Sequence, residues 1–310
     1  MNKALKTVLS VLLCACALAA VVPTAVYGVR GSLAGISLPR DYERQLAENA
    51  FENSADVRIM SSNLLVHYES WGGEPAKPRA KMYVEMIREY MPDVIGLQEL
   101  CDSWYCCLKL NLPKDYKMLY PFSTGAFVRM TAMVYNSETL ELIDSGNFAY
   151  EQGDNTRLRR VAWAVFRLRS TGRLFAVTNT HFDLIREGRE KELARVMKSQ
   201  AQELSACIDS IAKRYNCPVY AVGDFNSTEE STRSNPADIP EIYNSLAEKY
   251  TDQKYNCKNQ VCGSEQRWRS PTYDHIFSTS SLRAEDFCLM SYKWLKPVSD
   301  HYPVFADVYI

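Results

Sequence analysis

The sequence has no excess of charge of either sign. Its 310 residues carry 36 Lys and Arg against 37 Asp and Glu, which gives a net charge of −1. A strongly basic chain would indicate binding to nucleic acid or to an anionic membrane surface, and these totals give no such indication. With 46% hydrophobic and 24% charged residues, the composition is typical of a globular protein with a sizeable core.

Repeats and low-complexity tracts are also absent, as is a long exposed apolar hairpin of the kind that would enter a bilayer. Strand-like apolar runs alternate with amphipathic segments from about residue 55 to the end, and no linker interrupts them. The pattern predicts one α/β domain over residues 55–310.

The first 28 residues differ from the rest. Lys3 and Lys6 precede an apolar stretch that carries no charge before Arg30. This order is typical of a secretory signal peptide or of an uncleaved membrane anchor. We therefore expect an extracytoplasmic protein, secreted or anchored by residues 1–28, with residues 29–54 as a tether.

The ten cysteines lack the spacing of a zinc site. "CDSWYCC" has no paired CxxC, and "CKNQVC" has four intervening residues and no nearby histidine. Eight cysteines lie beyond residue 28. In an exported chain these residues are expected to form disulfides or to remain buried thiols.

Polar residues of catalytic type occur where strand-like runs end. Burying a lone carboxylate inside a strand is costly, but residues at strand ends can converge on one rim of a sheet. Carboxylates, Asn and His are the groups that bind hard cations and perform phosphoryl chemistry. The candidates are Asn63, Glu99, His181, Asp224, Asn226, Asp274, Asp300 and His301.

Six segments resemble a known family when they are taken in order. "SSNLL", "PDVIGLQEL", "NTHFD", "GDFNS", "YDHIF" and "SDHYPVF" have the order and rough spacing found in the endonuclease/exonuclease/phosphatase superfamily. This superfamily includes pancreatic-type deoxyribonucleases, abasic-site endonucleases, neutral sphingomyelinases and inositol polyphosphate 5-phosphatases. The resemblance runs from about Val57 to Val308. The middle of the chain is similar to a secreted bacterial branch, from which it departs at "FAYE" and at Leu184, where a second histidine is common.

The resemblance implies an α/β fold, a four-layer sandwich of two packed, mostly antiparallel β-sheets flanked by α-helices. It places the active site at one end of the sandwich. It also implies a Mg²⁺ ion, with Mn²⁺ as an alternative, held by Asn63, Glu99 and Asp300 directly or through water.

Two assignments of the general base follow from the resemblance, and the sequence leaves both open. Asp274 and His301 are expected to form a dyad that acts on water or on the phosphate. Asp224 is the competing base, with Asn226 positioning the water and the phosphate. His181 is expected to donate a hydrogen bond to a phosphate oxygen.

Four further residues are weaker candidates for substrate contact. Arg160 is equally compatible with a surface strand position, and Tyr135 with a core aromatic. His67 and Trp71 are predicted to lie in a loop at the rim of the site, where the alternative is an ordinary surface loop.

The sequence thus predicts an exported, Mg²⁺-dependent phosphoesterase, with nuclease-like phosphodiester hydrolysis as the leading hypothesis. A sphingomyelinase-like lipid phosphodiesterase and a sugar or inositol phosphatase are the alternatives. The substrate is accordingly a nucleic acid, a phospholipid or a sugar phosphate. No obligate protein partner is evident, and an uncleaved leader would add contact with a membrane. A non-catalytic binding module on the same fold would be expected to lack a metal ligand or a dyad residue, and this chain lacks none.

Overall fold

A computed structural model of the protein describes residues 41–49, 52–66, 75–119, 131–153, 159–230, 239–262 and 272–310. The predicted leader, most of the predicted tether, His67 and Trp71 lie outside the described residues. Within the described ranges, no helix combines the length and hydrophobicity that crossing a membrane requires.

Seven strands form the first sheet. Strands β1 and β2 are parallel neighbours at its centre, as are β10 and β12 at one edge, and all other neighbours are antiparallel. In spatial order the strands are β10 (Cys257–Cys262), β12 (Ala284–Leu289), β13 (Val304–Val308), β1 (Val57–Asn63), β2 (Val94–Gln98), β4 (Thr131–Asn136) and β3 (Tyr116–Leu119).

In the part of the chain that the structure describes, six strands form the second sheet, and of these only β7 (Leu174–His181) and β8 (Val219–Asp224) run parallel to each other. Their spatial order is β5 (Leu140–Ala149), β6 (Arg160–Leu168), β7 (Leu174–His181), β8 (Val219–Asp224), β11 (Asp274–Ser278) and β9 (Thr251–Asp252). The two sheets are therefore mostly antiparallel, which confirms the predicted fold class.

Among the described residues, five helices cover the outer faces of the two sheets. Those on the first sheet are α1 (Tyr42–Asn49), α2 (Ala76–Tyr90) and α3 (Asp102–Asn111), and those on the second are α4 (Glu190–Tyr215) and α5 (Pro240–Ala247). Separate sets of buried apolar side chains fill the space under each helical layer and the space between the sheets. Helix α1 lies within the range predicted as a tether, and its Tyr42 ring packs edge-on against Trp294.

The helix ends follow from local chemistry. Residue Met91 closes α2 with a left-handed φ of 44°, and Pro92 cannot continue the helix because it has no N–H. Residue Asn216 closes α4 in the same way, with φ of 47°, ahead of Pro218. The Met91-Pro92 pair and Asn216 ahead of Pro218 predict both of these helix ends from the sequence.

A glycine lets the two sheets approach each other near the ends of β2 and β8. A Cβ atom added at Gly96 would lie 2.4 Å from Val222 Cγ2 and 2.8 Å from Asn179 Cγ. Beside it, Gln98 Nε2 donates to Asn179 Oδ1 at 2.7 Å, and Asn179 Nδ2 donates to the carbonyl of Ala132 at 2.6 Å. A buried polar contact therefore joins the two sheets directly below the candidate site.

Candidate active site

The strand register brings the predicted residues to one end of the sandwich. In the first sheet, Asn63 pairs with Gln98, so that Glu99 lies one residue beyond the paired ends of β1 and β2. In the second sheet, Asp224 pairs with His181 on one side and with Asp274 on the other. Each sheet thus contributes part of the site.

Asn63 connects the two parts. Its Nδ2 donates to Glu99 Oε1 at 3.3 Å and to Asp224 Oδ2 at 3.0 Å, across the gap between the sheets. The other carboxylate oxygen of Glu99 accepts the Val66 N–H at 2.9 Å. Glu99 has a φ of 58°, an uncommon value for a non-glycine residue. Such a backbone re-aims the side chain at the point where β2 ends.

Asp224 lies at the centre of the group and is buried. Its Oδ2 is 3.3 Å from His181 Nε2 and 3.8 Å from His301 Nε2, and its Oδ1 accepts the Asn226 N–H at 3.0 Å. Burial raises the pKa of Asp224 above its ordinary value, while the charge of His301 opposes that shift. A carboxylate with a raised pKa is a stronger base than an exposed one.

The predicted dyad is formed. His301 Nδ1 lies 2.6 Å from Asp274 Oδ2, and the other Asp274 oxygen is buried with no hydrogen-bond partner among the described residues. Burial alone would lower the pKa of His301, but Asp274 and Asp224 raise it well above the usual range. These two carboxylates therefore favour the imidazolium form of His301.

His181 has the opposite character. It is 3% exposed, and burial, followed by the nearby positive charges of Arg159 and His301, lowers its pKa well below the ordinary value. Its Nδ1 atom is buried and has no hydrogen-bond partner within the described ranges. His181 is therefore a neutral imidazole with one ring nitrogen available to a ligand.

Short contacts position the remaining predicted residues. Ser299 Oγ donates to the Asn63 carbonyl at 2.7 Å and accepts the His301 N–H at 3.2 Å, which places the exposed Asp300 beside the end of β1. Asn226 has a φ of 46° and donates through Nδ2 to the Phe182 carbonyl at 3.0 Å. Ser299 was not recognised from the sequence, although it lies inside the "SDHYPVF" segment.

The two predicted substrate contacts have different positions. Arg160 begins β6 next to Val161, which pairs with Thr180, so Arg160 lies at the rim beside His181. Its Nη2 donates to Asn147 Oδ1 at 2.5 Å. Tyr135 is not brought to the site. It is four residues along β4 from Thr131, the partner of Gln98, or about 13 Å away, and its ring packs on Phe166.

Arg159 is a candidate that the sequence reasoning missed. It is 8% exposed, its Nε donates to Asp183 Oδ1 at 3.3 Å, and its buried Nη1 has no hydrogen-bond partner among the described residues. The available signals were the Arg-Arg pair at the start of β6 and Asp183 in "NTHFD". Of the two arginines, the sequence favoured Arg160, whereas the buried one is Arg159.

The predicted metal ligands suit a hard cation. Asn63, Glu99 and Asp300 offer oxygen atoms, and the Asn63 amide is shared between the carboxylates of Glu99 and Asp224. Two carboxylates drawn to one neutral amide leave negative charge that a divalent cation would compensate. A different group, Glu229, Asp252 and His275, places its ligand atoms within 4.8 Å of one another. That group lies outside this site.

Comparison with known proteins identifies the fold. No family model matches the sequence, and no curated protein matches it. An endonuclease/exonuclease/phosphatase from Bacteroides vulgatus has a TM-score of 0.63 at 19% identity, over 81% of this chain and 97% of its own. A mannosyl-6-phosphatase from Bacteroides thetaiotaomicron has a TM-score of 0.62 at 18% identity, over 81% and 98%. The D. rerio TDP2 structure with a single-strand DNA product has a TM-score of 0.57 at 16% identity, over 81% and 97%. The chain therefore has the fold of the endonuclease/exonuclease/phosphatase structures.

Proposed function

We propose that this protein is a metal-dependent hydrolase of phosphoesters. The observation that carries the proposal is the convergence of Asp224, His181 and the Asp274–His301 dyad on one point between two sheets. The similarity in fold to a sugar phosphatase and to TDP2 with a DNA product supports phosphoester bonds as the target.

The protonation states divide the roles between the residues. Asp224 accepts the proton of the attacking water, because its raised pKa makes it more basic than an ordinary aspartate and its Oδ1 is oriented by the Asn226 N–H. Because Asp274 and Asp224 favour its protonated form, His301 serves as a hydrogen-bond donor to a phosphoryl oxygen rather than as a base. Asp274 holds the imidazolium in position through Nδ1.

Asn63, Glu99 and Asp300 are the residues that would hold Mg²⁺ or Mn²⁺. The bound ion would withdraw charge from a phosphoryl oxygen as negative charge develops there. Ser299 and the Val66 N–H keep these ligands oriented from outside the coordination sphere.

Phosphodiesters are the leading substrate class, and a terminal phosphate is the second. The buried guanidinium of Arg159, together with the His301 imidazolium, supports the second class because two cations suit a dianionic phosphate. The fold similarity to a mannosyl-6-phosphatase supports it as well.

Export is also part of the proposal. The basic-then-apolar order of residues 1–28 supports it. The disulfide between Cys262 and Cys288, which joins the neighbouring strands β10 and β12, supports it independently, because disulfides persist mainly in oxidising compartments.

The test is hydrolysis by residues 30–310 with Mg²⁺ and with a chelator. The substrates are plasmid DNA, RNA, sphingomyelin, and the p-nitrophenyl diester and monoester of phosphate. Asp224→Ala is expected to lower kcat by about 10²- to 10⁴-fold, because it removes the base. Asp93→Asn, a change at a buried carboxylate beside the opposite end of β2, is the control and should keep kcat.

Each outcome decides between readings. Metal-dependent diester cleavage that is lost in Asp224→Ala supports the leading reading, and monoester cleavage alone supports the phosphatase. Equal activity of Asp224→Ala and wild type, or full activity in excess chelator, would contradict the mechanism.

A further inference from the structure

A second group of charged side chains is buried behind the candidate site. His275 follows Asp274 on β11, so strand alternation turns its ring to the opposite face of the sheet, where it is 1% exposed. Its ring packs there against Phe225, Tyr243 and Phe277. We call His275, Asp252, Glu229 and Lys254 the buried charge cluster.

The cluster contains a buried ion pair. Lys254 Nζ lies 2.5 Å from Glu229 Oε1, and the two side chains are 1% and 8% exposed. An ion pair so far from water is costly to form and strongly destabilising to break, because the remaining charge is left without compensation. We therefore looked for a role of the Lys254–Glu229 pair in the candidate site next to it.

The surroundings of His275 favour a proton on both ring nitrogens. Its Nε2 is 3.0 Å from the Ser227 carbonyl, which can only accept, and its Nδ1, which has no hydrogen-bond partner among the described residues, lies 3.4 Å from Asp252 Oδ2. Asp252 is itself an acceptor, since it receives the Tyr243 hydroxyl at 3.0 Å and the Lys254 N–H at 2.9 Å. A neutral imidazole carries a single N–H and would leave one of these two acceptors facing a lone pair.

The charge balance of the cluster also indicates that His275 is protonated on both ring nitrogens. Two carboxylates, Glu229 and Asp252, then face two cations, Lys254 and the His275 imidazolium. A divalent metal ion bound by Glu229, Asp252 and His275 would need a neutral His275. It would also have to share Glu229 with the Lys254 ammonium, which leaves a surplus of positive charge in a buried site. Lys254 and protonated His275 therefore supply the positive charge that a bound metal ion would otherwise supply.

The cluster links the two segments that carry catalytic residues of the second sheet. Glu229 lies in the segment that follows Asp224 and Asn226, and its Oε2 accepts the Thr272 N–H at 3.1 Å. Thr272 Oγ1 in turn accepts the Asp274 N–H at 3.2 Å. The Ser227 carbonyl that His275 holds belongs to the residue after Asn226.

We propose that the buried charge cluster is a positioning device, in which the His275 imidazolium and the Lys254 ammonium fix Asp274 relative to Asp224 and Asn226. The part of this inference that concerns turnover rests on the proposed hydrolase function. The protonation state of His275 and the position of Asp274 do not depend on it.

The first experiment determines the protonation state. Residues 30–310 are labelled with ¹⁵N-histidine, and the ring signals of His275 are assigned by their loss in His275→Gln. We expect both ring nitrogens to carry protons at neutral pH, with or without added Mg²⁺, Mn²⁺ or Zn²⁺. A ring nitrogen without a proton, or a His275 signal that changes on binding one of these ions to the cluster, would overturn the proposal.

The second experiment compares two lysines in ion pairs of equal length. Lys254 pairs with Glu229 in the interior, and Lys258 pairs with Glu285 at the surface, both at 2.5 Å. We expect Lys254→Met to move the ring signals of His301, the partner of Asp274, and Lys258→Met to leave them in place. We also expect Lys254→Met to lower kcat roughly tenfold or more with KM within about twofold, because a small displacement of catalytic groups is costly.

The variants are chosen so that a negative result is informative. If Lys254→Met does not fold, the double variant Lys254→Met, Glu229→Gln removes both charges together and carries the same measurement. Unchanged His301 signals in a folded variant would refute the positioning role. If wild type hydrolyses none of the phosphoester probes, the proposed function fails, and the His301 signals still decide the role of the cluster.

Discussion

At the scale of single residues, chemistry was easier to predict than geometry. The types of Glu99, Asp224 and His301 were enough to nominate them from the sequence. The left-handed backbone of Glu99 and Asn226 could not be predicted from the sequence, because neither residue type requires it. Tyr135 shows the same limit: an aromatic residue in a strand suits a core position and a substrate contact equally, and only the strand register separates the two.

Arg159 and Arg160 provide a test at this scale. We expect Arg159→Met to lower kcat/KM by about 10²-fold or more, because it removes a buried charged donor that acts on His181 in the candidate site. Arg160→Met, at the rim, should change kcat/KM far less. Steady-state kinetics on the best phosphoester substrate provides the comparison.

The same pair can be checked without turnover. Because the charge of Arg159 lowers the pKa of His181, Arg159→Met should raise that pKa, as followed by NMR titration of the His181 ring. Equal kinetic effects of the two variants, with no movement of the His181 pKa, would contradict the role given to Arg159.

At the scale of secondary-structure elements, apolar periodicity predicted most of what forms. The helices α2 and α4 end just before Pro92 and Pro218, where the sequence indicates, and Asn63, His181 and Asp224 lie at strand ends as expected. The segment after β12 was different. The apolar run "FCLMSYKWL" favours a strand that continues to its end, but Lys293–Leu295 forms a 3₁₀ turn that buries Trp294 and Leu295. Two bulky apolar residues in a short run fit either structure, so tertiary packing decides.

The buried charge cluster between β9, β11 and the segment after β8 makes stability depend on pH. Burial alone would lower the pKa of His275, but Asp252 and Glu229 raise it above its ordinary value overall. Its contribution to stability is therefore complete below the unfolded-state pKa of about 6.5 and is lost as pH rises through the higher folded-state pKa. The charged and titratable groups that face it are Asp252, Glu229, Lys254 and Tyr243.

We expect the melting temperature of wild type to exceed that of His275→Gln most at slightly acidic pH. The difference should shrink as pH rises above about 6.5. Thermal unfolding of both proteins over a pH series measures this, and His301 titrates in both, so its contribution cancels. A difference that grows with pH would show that His275 is neutral in the folded protein.

At the scale of the whole molecule, the four-layer architecture was predicted from the resemblance of the six segments to a known superfamily. They could not predict how closely the sheets approach. That distance depends on Gly96, where any side chain would meet Val222 and Asn179 of the other sheet. The periodicity of apolar residues in one sequence does not predict contacts between residues so far apart along the chain.

Gly96→Ala should therefore affect both stability and activity. The added methyl group overpacks the space between the sheets, which should cost about 1–3 kcal/mol in the free energy of unfolding. It should also move Asn63 and Glu99 away from Asp224 and lower kcat. Denaturant unfolding and kinetics on the same preparation provide the test, and wild-type values for both would contradict the tight packing at Gly96.

Because the first sheet supplies Asn63, Glu99 and His301 while the second supplies His181, Asp224 and Asp274, neither sheet holds a complete set of reacting groups. A folding intermediate with only one sheet in place would be chemically inert, however much secondary structure it had. Recovery of turnover during refolding should therefore follow the closure of the sandwich and lag behind the return of the far-ultraviolet circular dichroism signal. In this protein, the recovery of activity would therefore report the time at which the two sheets come together.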